Sequence, residues 1–380
     1  MNQILKDISL TLFFTGGIGL NTWAKVGNLE REIAIYQRLT ENLRAVNFVT
    51  YGGCKDKQYL SQMGKIGVYP IWWSPFISVN IFHLLFRYWK ILMQSDILKT
   101  NQISGVEIPI WFKRHFNKKL IVRCGYLHSR FSEQEGYDEK TVNAAKAYER
   151  KAFESADIGV VPTEHDRDWV VKSHGIPIEK LRVIPNYVDV GIFTPSEEKK
   201  ESLFDVVFVG RSGLEKNLLA LLGAIAILKA RGRSIRLLFI GGCARDRRLK
   251  EICEEKRLEV TFLGNIPNKD LPDYLFQSSV FILPSHHEGH PKVLLEAMSC
   301  GLPCIGTRVE GIKELITHRK TGYLCNIDAK SIADAIEVVF SDEAMRKKMG
   351  ENARRYVLEN FSVERALKME LEVIREVIAI

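Results

Sequence analysis

Short apolar runs, each followed by a stretch with helical spacing, recur along this chain, and that alternation restricts the folds open to it more than any other feature. Strands buried on both faces read as continuous apolar runs, and parallel strands require a helical crossover between them. The pattern therefore predicts an α/β protein with parallel sheets covered by helices on both faces. In the first half the expected strands are residues 8–14, 46–50, 67–71, 96–100, 120–123, 158–161 and 182–185. In the second they are residues 206–210, 236–240, 260–263, 280–284 and 304–306. Between the two sets, residues 186–202 hold Pro195 and a charge cluster at 197–201, and read as an inter-domain linker. The boundary is expected near Phe193, giving domains of residues 1–193 and 194–360.

A chain of 380 residues with 46% hydrophobic content can supply a core for each of two domains. The apolar stretch at residues 10–14 is short and runs into glycines, so it predicts a first buried strand instead of a signal peptide. Seven cysteines at irregular spacing do not resemble a secreted disulfide framework, which predicts reduced thiols and a cytoplasmic protein. Cys300 and Cys304 lack a second ligand pair at zinc spacing and are expected to pack. Net charge is +8, unevenly placed: residues 1–193 carry 25 Lys+Arg against 19 Asp+Glu. Such basicity suits nucleic acid, an anionic membrane or phosphorylated substrates. No nucleic-acid recognition motif accompanies it, so the last two are favoured.

Residues 284–307, PSHHEGHPKVLLEAMSCGLPCIGT, place Glu288 at the end of an expected strand and Glu296 on the following helix, with seven residues between them. Ligands of open α/β sheets bind at the carboxyl ends of strands, where a helix N-terminus offers N–H groups to an anion. A phosphate-bearing ligand fits that position. After the run DVVFVG, Arg211 and Lys216 open a second helix. Cations there oppose the helix dipole, so a bound diphosphate explains them better than a surface role does. Thr15-Gly16-Gly17-Ile18-Gly19 follows the first run; its glycines permit close backbone approach, but Thr22 stands where a dinucleotide fingerprint needs a third glycine.

These segments together resemble the GT-B glycosyltransferases, especially their family 4, with its Glu-x7-Glu signature and Gly-Arg-x4-Lys-Asn element. The resemblance covers nearly the whole chain and implies two Rossmann-like domains facing a central cleft, with the C-terminal helix, about residues 361–380, packing back on the first. It implies transfer of a sugar from a nucleotide-diphosphate donor to a hydroxyl acceptor with retention, in polysaccharide, glycan or glycolipid synthesis. By the same resemblance Arg211 and Lys216 stabilise the leaving diphosphate without a metal or other cofactor. Glu288 holds sugar hydroxyls, Gly289, His290, Pro291, Lys292 and Val293 approach sugar and phosphates, Glu296 accepts from the ribose diol, and Ile266 lines the base. Gly16 and Gly17 lie between donor phosphate and acceptor, with Gly19 an acceptor-side candidate. Residues 175–189 resemble the family's domain-closing segment, with Tyr187 where glycine is usual after Asn186.

His128 lies just past an expected strand, where relatives place a catalytic-centre histidine; a surface or structural role is the alternative. Arg123, at the same strand end, is a candidate for phosphate or sugar. Asp166 and Asp168 could be read as a metal pair, but Thr163 three residues before Asp166 makes a helix cap the better account. Residues 69–93 are rich in aromatics, with Asn80, His83, Arg87, Lys90 and Gln94 drawing a polar stripe. Ordinary core packing is expected of that helix. The alternative is an interfacial helix with Arg87 and Lys90 toward lipid headgroups, which would place the protein at the cytoplasmic membrane face and favour a lipid-linked acceptor over a free saccharide. An epimerase of the same fold, or a non-catalytic sugar-nucleotide binder, are the competing functions.

Overall fold

The twelve apolar runs become strands, and one further strand joins them in two sheets, in the computed structural model, which describes residues 2–195 and 202–380. The chain divides into two units: residues 1–25, 32–185 and 366–380 form the first, residues 26–31 and 186–365 the second. The charge cluster expected in the linker, residues 197–201, lies outside the described residues.

In the first unit the strands are β1 (Ser9–Phe13), β2 (Ala45–Thr50), β3 (Gly67–Pro70), β4 (Ile97–Thr100), β5 (Lys119–Arg123), β6 (Ile158–Val161) and β7 (Leu181–Val183). They pair in the order β3-β2-β1-β4-β5-β6-β7, all parallel. Strand order reverses between β1 and β4, and such a switch point opens a crevice at the strands' carboxyl ends. The helix Val363–Ala379 returns its last residues, 366–380, to this unit, where Glu370 forms a buried ion pair with Lys99 of β4.

The second unit holds β8 (Phe204–Val209), β9 (Leu237–Ile240), β10 (Val260–Leu263), β11 (Ser278–Leu283), β12 (Cys304–Thr307) and β13 (Tyr323–Cys325), in the order β10-β9-β8-β11-β12-β13. All neighbours are parallel, and the switch point falls between β8 and β11. Strand β11 is buried along residues 280–283, as a continuous Val-Phe-Ile-Leu run requires inside a covered sheet. Residues 186–195 do not form a free linker. Phe193 is buried in the second unit's core, Val188 bridges Ser362, and the Phe193 carbonyl accepts from Ser299 Oγ (2.6 Å) and Arg354 (2.6 Å). The first unit accordingly ends at Pro185, ahead of the boundary expected near Phe193.

Cys54 is the exposed cysteine; Cys124, Cys243, Cys253, Cys300, Cys304 and Cys325 are buried and unbridged. Burial raises the thiol pKa of Cys243 and Cys325 to about 12 and of Cys253 to about 11, which keeps them protonated and unreactive. A thiol reagent at mildly alkaline pH should therefore modify Cys54 quickly and the others only on unfolding, with Cys54→Ser removing the fast phase.

Candidate active site

The two ends that flank the second switch point carry the motifs. Strand β8 runs into Gly210-Arg211 and a tight turn at Leu214–Lys216, and β11 runs into residues 284–291 ahead of the helix Lys292–Ser299. The two loops are stitched together. His286 N donates to Glu215 O (2.8 Å), and Asn217, held in the left-handed conformation, donates its amide to Pro284 O (3.0 Å) and Ile327 O (2.8 Å). This docking brings Lys216 Nζ to 2.7 Å from Glu288 Oε1, which also accepts from the buried Ser285 (2.7 Å). Ser285 is held in turn, its carbonyl accepting from Thr307 Oγ1 (2.5 Å).

Arg211 is placed differently. Its side chain is 73% exposed and pairs with Glu215 at 2.9 Å. An exposed pair of that kind contributes about 0–1 kcal/mol. A diphosphate, which offers the guanidinium charge-assisted and bidentate bonds, can draw it away.

Glu296 lies 1% exposed on the helix that follows Glu288. Its Oε1 accepts from Arg31 (3.1 Å) and from Asn268 Nδ2 (2.9 Å), whereas its Oε2 is buried with no hydrogen-bond partner. A buried acceptor left unpaired costs about 1–3 kcal/mol, so a donor is expected to meet it in function. Glu296 lines a cavity of about 390 Å³ together with Arg211, Ile266, Val293 and Arg31, among others. Arg31 reaches this unit because residues 26–31 pack with it, Gly27 O accepting from Asn268 N (2.9 Å).

The remaining residues of the signature segment have structural engagements as well. Pro291 caps the helix that Lys292 begins. The His290 ring is buried 5.3 Å from the Phe361 ring, and its carbonyl accepts from Asn186 (2.6 Å), beside the buried Tyr187. Gly289 packs against Gly311, whose position allows no side chain: a Cβ there would lie 1.8 Å from Gly289 O and 2.6 Å from Glu288 O. Gly311→Ala must push the Glu288 loop aside, and a displacement near 1 Å costs on the order of 10- to 100-fold in kcat/KM. Steady-state kinetics with a nucleotide-sugar donor check this, with melting temperature as the control for folding.

In the first unit, Gly16, Gly17 and Gly19 follow β1. A Cβ on Gly16 would meet the Trp73 ring at 2.8 Å, Gly17 has φ of +76°, and Gly19 packs closely on Gly52 and Asp56, where a Cβ would lie 2.6 Å from the Gly52 backbone. Arg123 is likewise turned to a structural partner, Glu370, at 3.5 Å. His128 opens the helix His128–Gln134, exposed, and lines a cavity of about 340 Å³ with Thr15, Gln102, Ser104, Tyr126 and Tyr148. Asp166 sits at a helix cap: its backbone N donates to Thr163 Oγ1 (3.0 Å) and its carboxylate pairs with Arg130 (2.5 Å). Among the described residues no group of three His, Cys, Asp or Glu could hold a metal ion.

Two adjoining family models match residues 35–356, Glycosyltransferase Family 4 over residues 35–191 and Glycosyl transferases group 1 over residues 192–356. The chain belongs to the family 4 type of GT-B glycosyltransferases. Among curated relatives of this family, the N-acetyl-alpha-D-glucosaminyl L-malate synthase of Bacillus anthracis is 46% identical over 28% of each chain. The matches span between 28% and 60% of the lengths of the first four such relatives. In fold, sucrose-phosphate synthase from Thermosynechococcus elongatus superposes with a TM-score of 0.80 at 20% identity, covering 98% of this chain and 99% of that one. The Anabaena HepE protein in complex with UDP and glucose gives 0.77 at 16%, covering 97% and 100%. At these identities the likeness is one of fold.

Asn217, Ser285, Asn268, Gly311 and Arg31 are the site residues that sequence reasoning left without a role. Asn217 stood inside a quoted motif, and its side chain was the available signal. Arg31 had none, being 265 residues from Glu296.

Proposed function

We propose that the protein transfers a sugar from a nucleotide-diphosphate donor to a hydroxyl acceptor with retention of configuration. The observation that carries this is Glu296, buried, with one oxygen held by Arg31 and Asn268 and the other unpaired, lining a cavity with Arg211 and Ile266. An ionised carboxylate only accepts hydrogen bonds, and a ribose diol supplies the donors that Oε2 lacks. Ile266 and Val293 then lie on the base side, and Glu288 with Lys216 on the sugar and phosphate side.

As the bond between the anomeric carbon and the diphosphate oxygen breaks, negative charge grows on phosphate and the sugar becomes oxocarbenium-like. Lys216 and Arg211 meet that charge, and the reading assigns no metal ion and no further cofactor to the task. The acceptor oxygen bonds to the anomeric carbon on the face the diphosphate leaves, and its proton passes to the departing phosphate. His128, with Gln102 and Tyr126, is the first unit's candidate for contact with the acceptor.

The acceptor is a saccharide or a lipid-linked hydroxyl, and the protein works at the cytoplasmic face of a membrane, which it touches through its first unit. No helix among the described residues is long and apolar enough to cross a membrane. The support for contact is the helix Ile77–Gln94, for which core packing was expected. Its Ile81, Leu84 and Leu92 do face the core, but Phe76 (69%), Phe82 (65%) and Phe86 (83%) are exposed. Asn80 leaves the expected polar stripe: it is buried and exchanges hydrogen bonds with Ser74 (2.9 and 2.7 Å).

Thermal shift against uridine, guanosine and adenosine diphosphate sugars tests the donor, since a ligand that binds only the native state raises apparent stability. A labelled donor tests the reaction. Label moving to an acceptor supports transfer, isomerised sugar released without acceptor indicates an epimerase, and binding without turnover a sugar-nucleotide binding protein.

A further inference from the structure

We infer that the first unit carries a site for the phosphate headgroup of an anionic phospholipid, in the cavity bounded by Lys57, Trp72, His83, Phe86 and Arg87. The inference rests on the membrane contact proposed above and adds what the surface selects. That cavity has a volume of about 390 Å³. Its lining combines the cationic or basic Lys57, His83 and Arg87 with the rings of Trp72 and Phe86, beside smaller residues that include Cys54, and it adjoins the exposed outer face of the helix Ile77–Gln94, where Phe82 and Phe86 stack at 6.0 Å between centroids.

The charge around it is uncompensated. From Lys57 to Ser95 the chain has no acidic residue, and Lys57, Arg87 and Lys90 are exposed with no carboxylate partner among the described residues. Arg87 lays its guanidinium 5.7 Å from the centre of the Tyr88 ring, a cation–π contact that leaves its N–H donors without a carboxylate among the described residues. Cations on this surface are not there to pair with the protein's own acids.

Two occupants could cover an apolar face of this kind, a second copy of the chain or a bilayer. A symmetric dimer through this face would bring identical unpaired cations together. An anionic bilayer supplies apolar depth for Trp72, Phe76, Phe82 and Phe86 and phosphates for Lys57 and Arg87 at once. Charge complementarity therefore favours the lipid surface, and the cavity locates the headgroup.

The test is flotation of the full chain with vesicles of phosphatidylcholine alone and of phosphatidylcholine mixed with phosphatidylglycerol. The expected result is binding to the anionic vesicles, weakened about fivefold for each cation removed, hence roughly 25-fold for Lys57→Gln with Arg87→Gln. Phe82→Ser with Phe86→Ser should abolish binding to both, and all four residues are exposed, so melting temperatures serve as the folding control. Cys54 lines the same cavity and should react more slowly with a thiol reagent when anionic vesicles are bound. Equal binding to neutral vesicles, charge variants that bind like the parent, or an unprotected Cys54 would overturn the headgroup site while leaving membrane contact standing. No binding to either vesicle overturns both. A dimer in solution that Phe82→Ser with Phe86→Ser dissolves gives the face to a second copy and overturns the inference.

Discussion

Replacing Glu288 by Ala should lower kcat for sugar transfer by about 10²- to 10³-fold, the range seen when one preorganised electrostatic group is removed from a reacting centre. The reason is geometric. Glu288 fixes Lys216 Nζ at 2.7 Å and is itself fixed by Ser285, so the substitution removes the proposed sugar contact and frees the ammonium that should sit beside the departing phosphate. Glu288→Gln keeps the shape and the Ser285 bond but loses the charge pairing, and should fall between the two. Melting temperatures of both variants should stay within a few degrees, because the side chain sits at a loop and not in the core. Turnover by Glu288→Ala within about threefold of the parent, well below the range expected for such a group, would falsify the assignment of that residue.

The second large effect concerns stability. Lys99 and Glu370 form an ion pair with both side chains almost fully buried, and Arg123 approaches the same carboxylate at 3.5 Å. Burial by itself pushes the Lys99 pKa down, and the Glu370 charge opposes that shift. Glu370→Leu leaves the Lys99 ammonium buried without its counter-charge, which costs about 3–5 kcal/mol. In a unit of this size that lowers the melting temperature by on the order of 10 °C. The double variant Lys99→Met with Glu370→Leu removes both charges and should recover most or all of the loss, since a well-packed apolar pair is about as stable as a buried ion pair. A double variant no more stable than the single one would show that the returning helix is held by something other than this pair.

The strands were legible because each is a short apolar run between polar stretches, and for most the expected and observed ranges agree to within two residues. The strand Tyr323–Cys325 was missed for a physical reason: it has three residues, begins half-buried and follows a polar turn, so no apolar run announces it. The helix Ile77–Gln94 was legible only in part, for another: it packs on the core through Ile81, Leu84 and Leu92 while Phe82 and Phe86 are exposed. Periodicity shows that a helix has two faces, but both faces here are largely apolar, and a hydrophobic residue does not state whether it meets the core or solvent. The neighbours of Arg123 and Gly19, Glu370 and Gly52, were not legible in the sequence, because they are remote in the chain or carry no signal of their own.

Local chemistry decided which pieces this protein is made of. Alternating runs dictate parallel sheets, a Glu-x7-Glu segment dictates a carboxylate at a strand end and another on the next helix, and an Arg-x4-Lys turn dictates cations at a helix start. Strand order was not local information. Only the folded sheet places β8 beside β11, with the reversal between them, so that Lys216 meets Glu288 and the cavity at Glu296 acquires Arg211. Side chains such as Arg31 and Asn268 join it through pairings across long chain separations, which the tertiary contacts alone select.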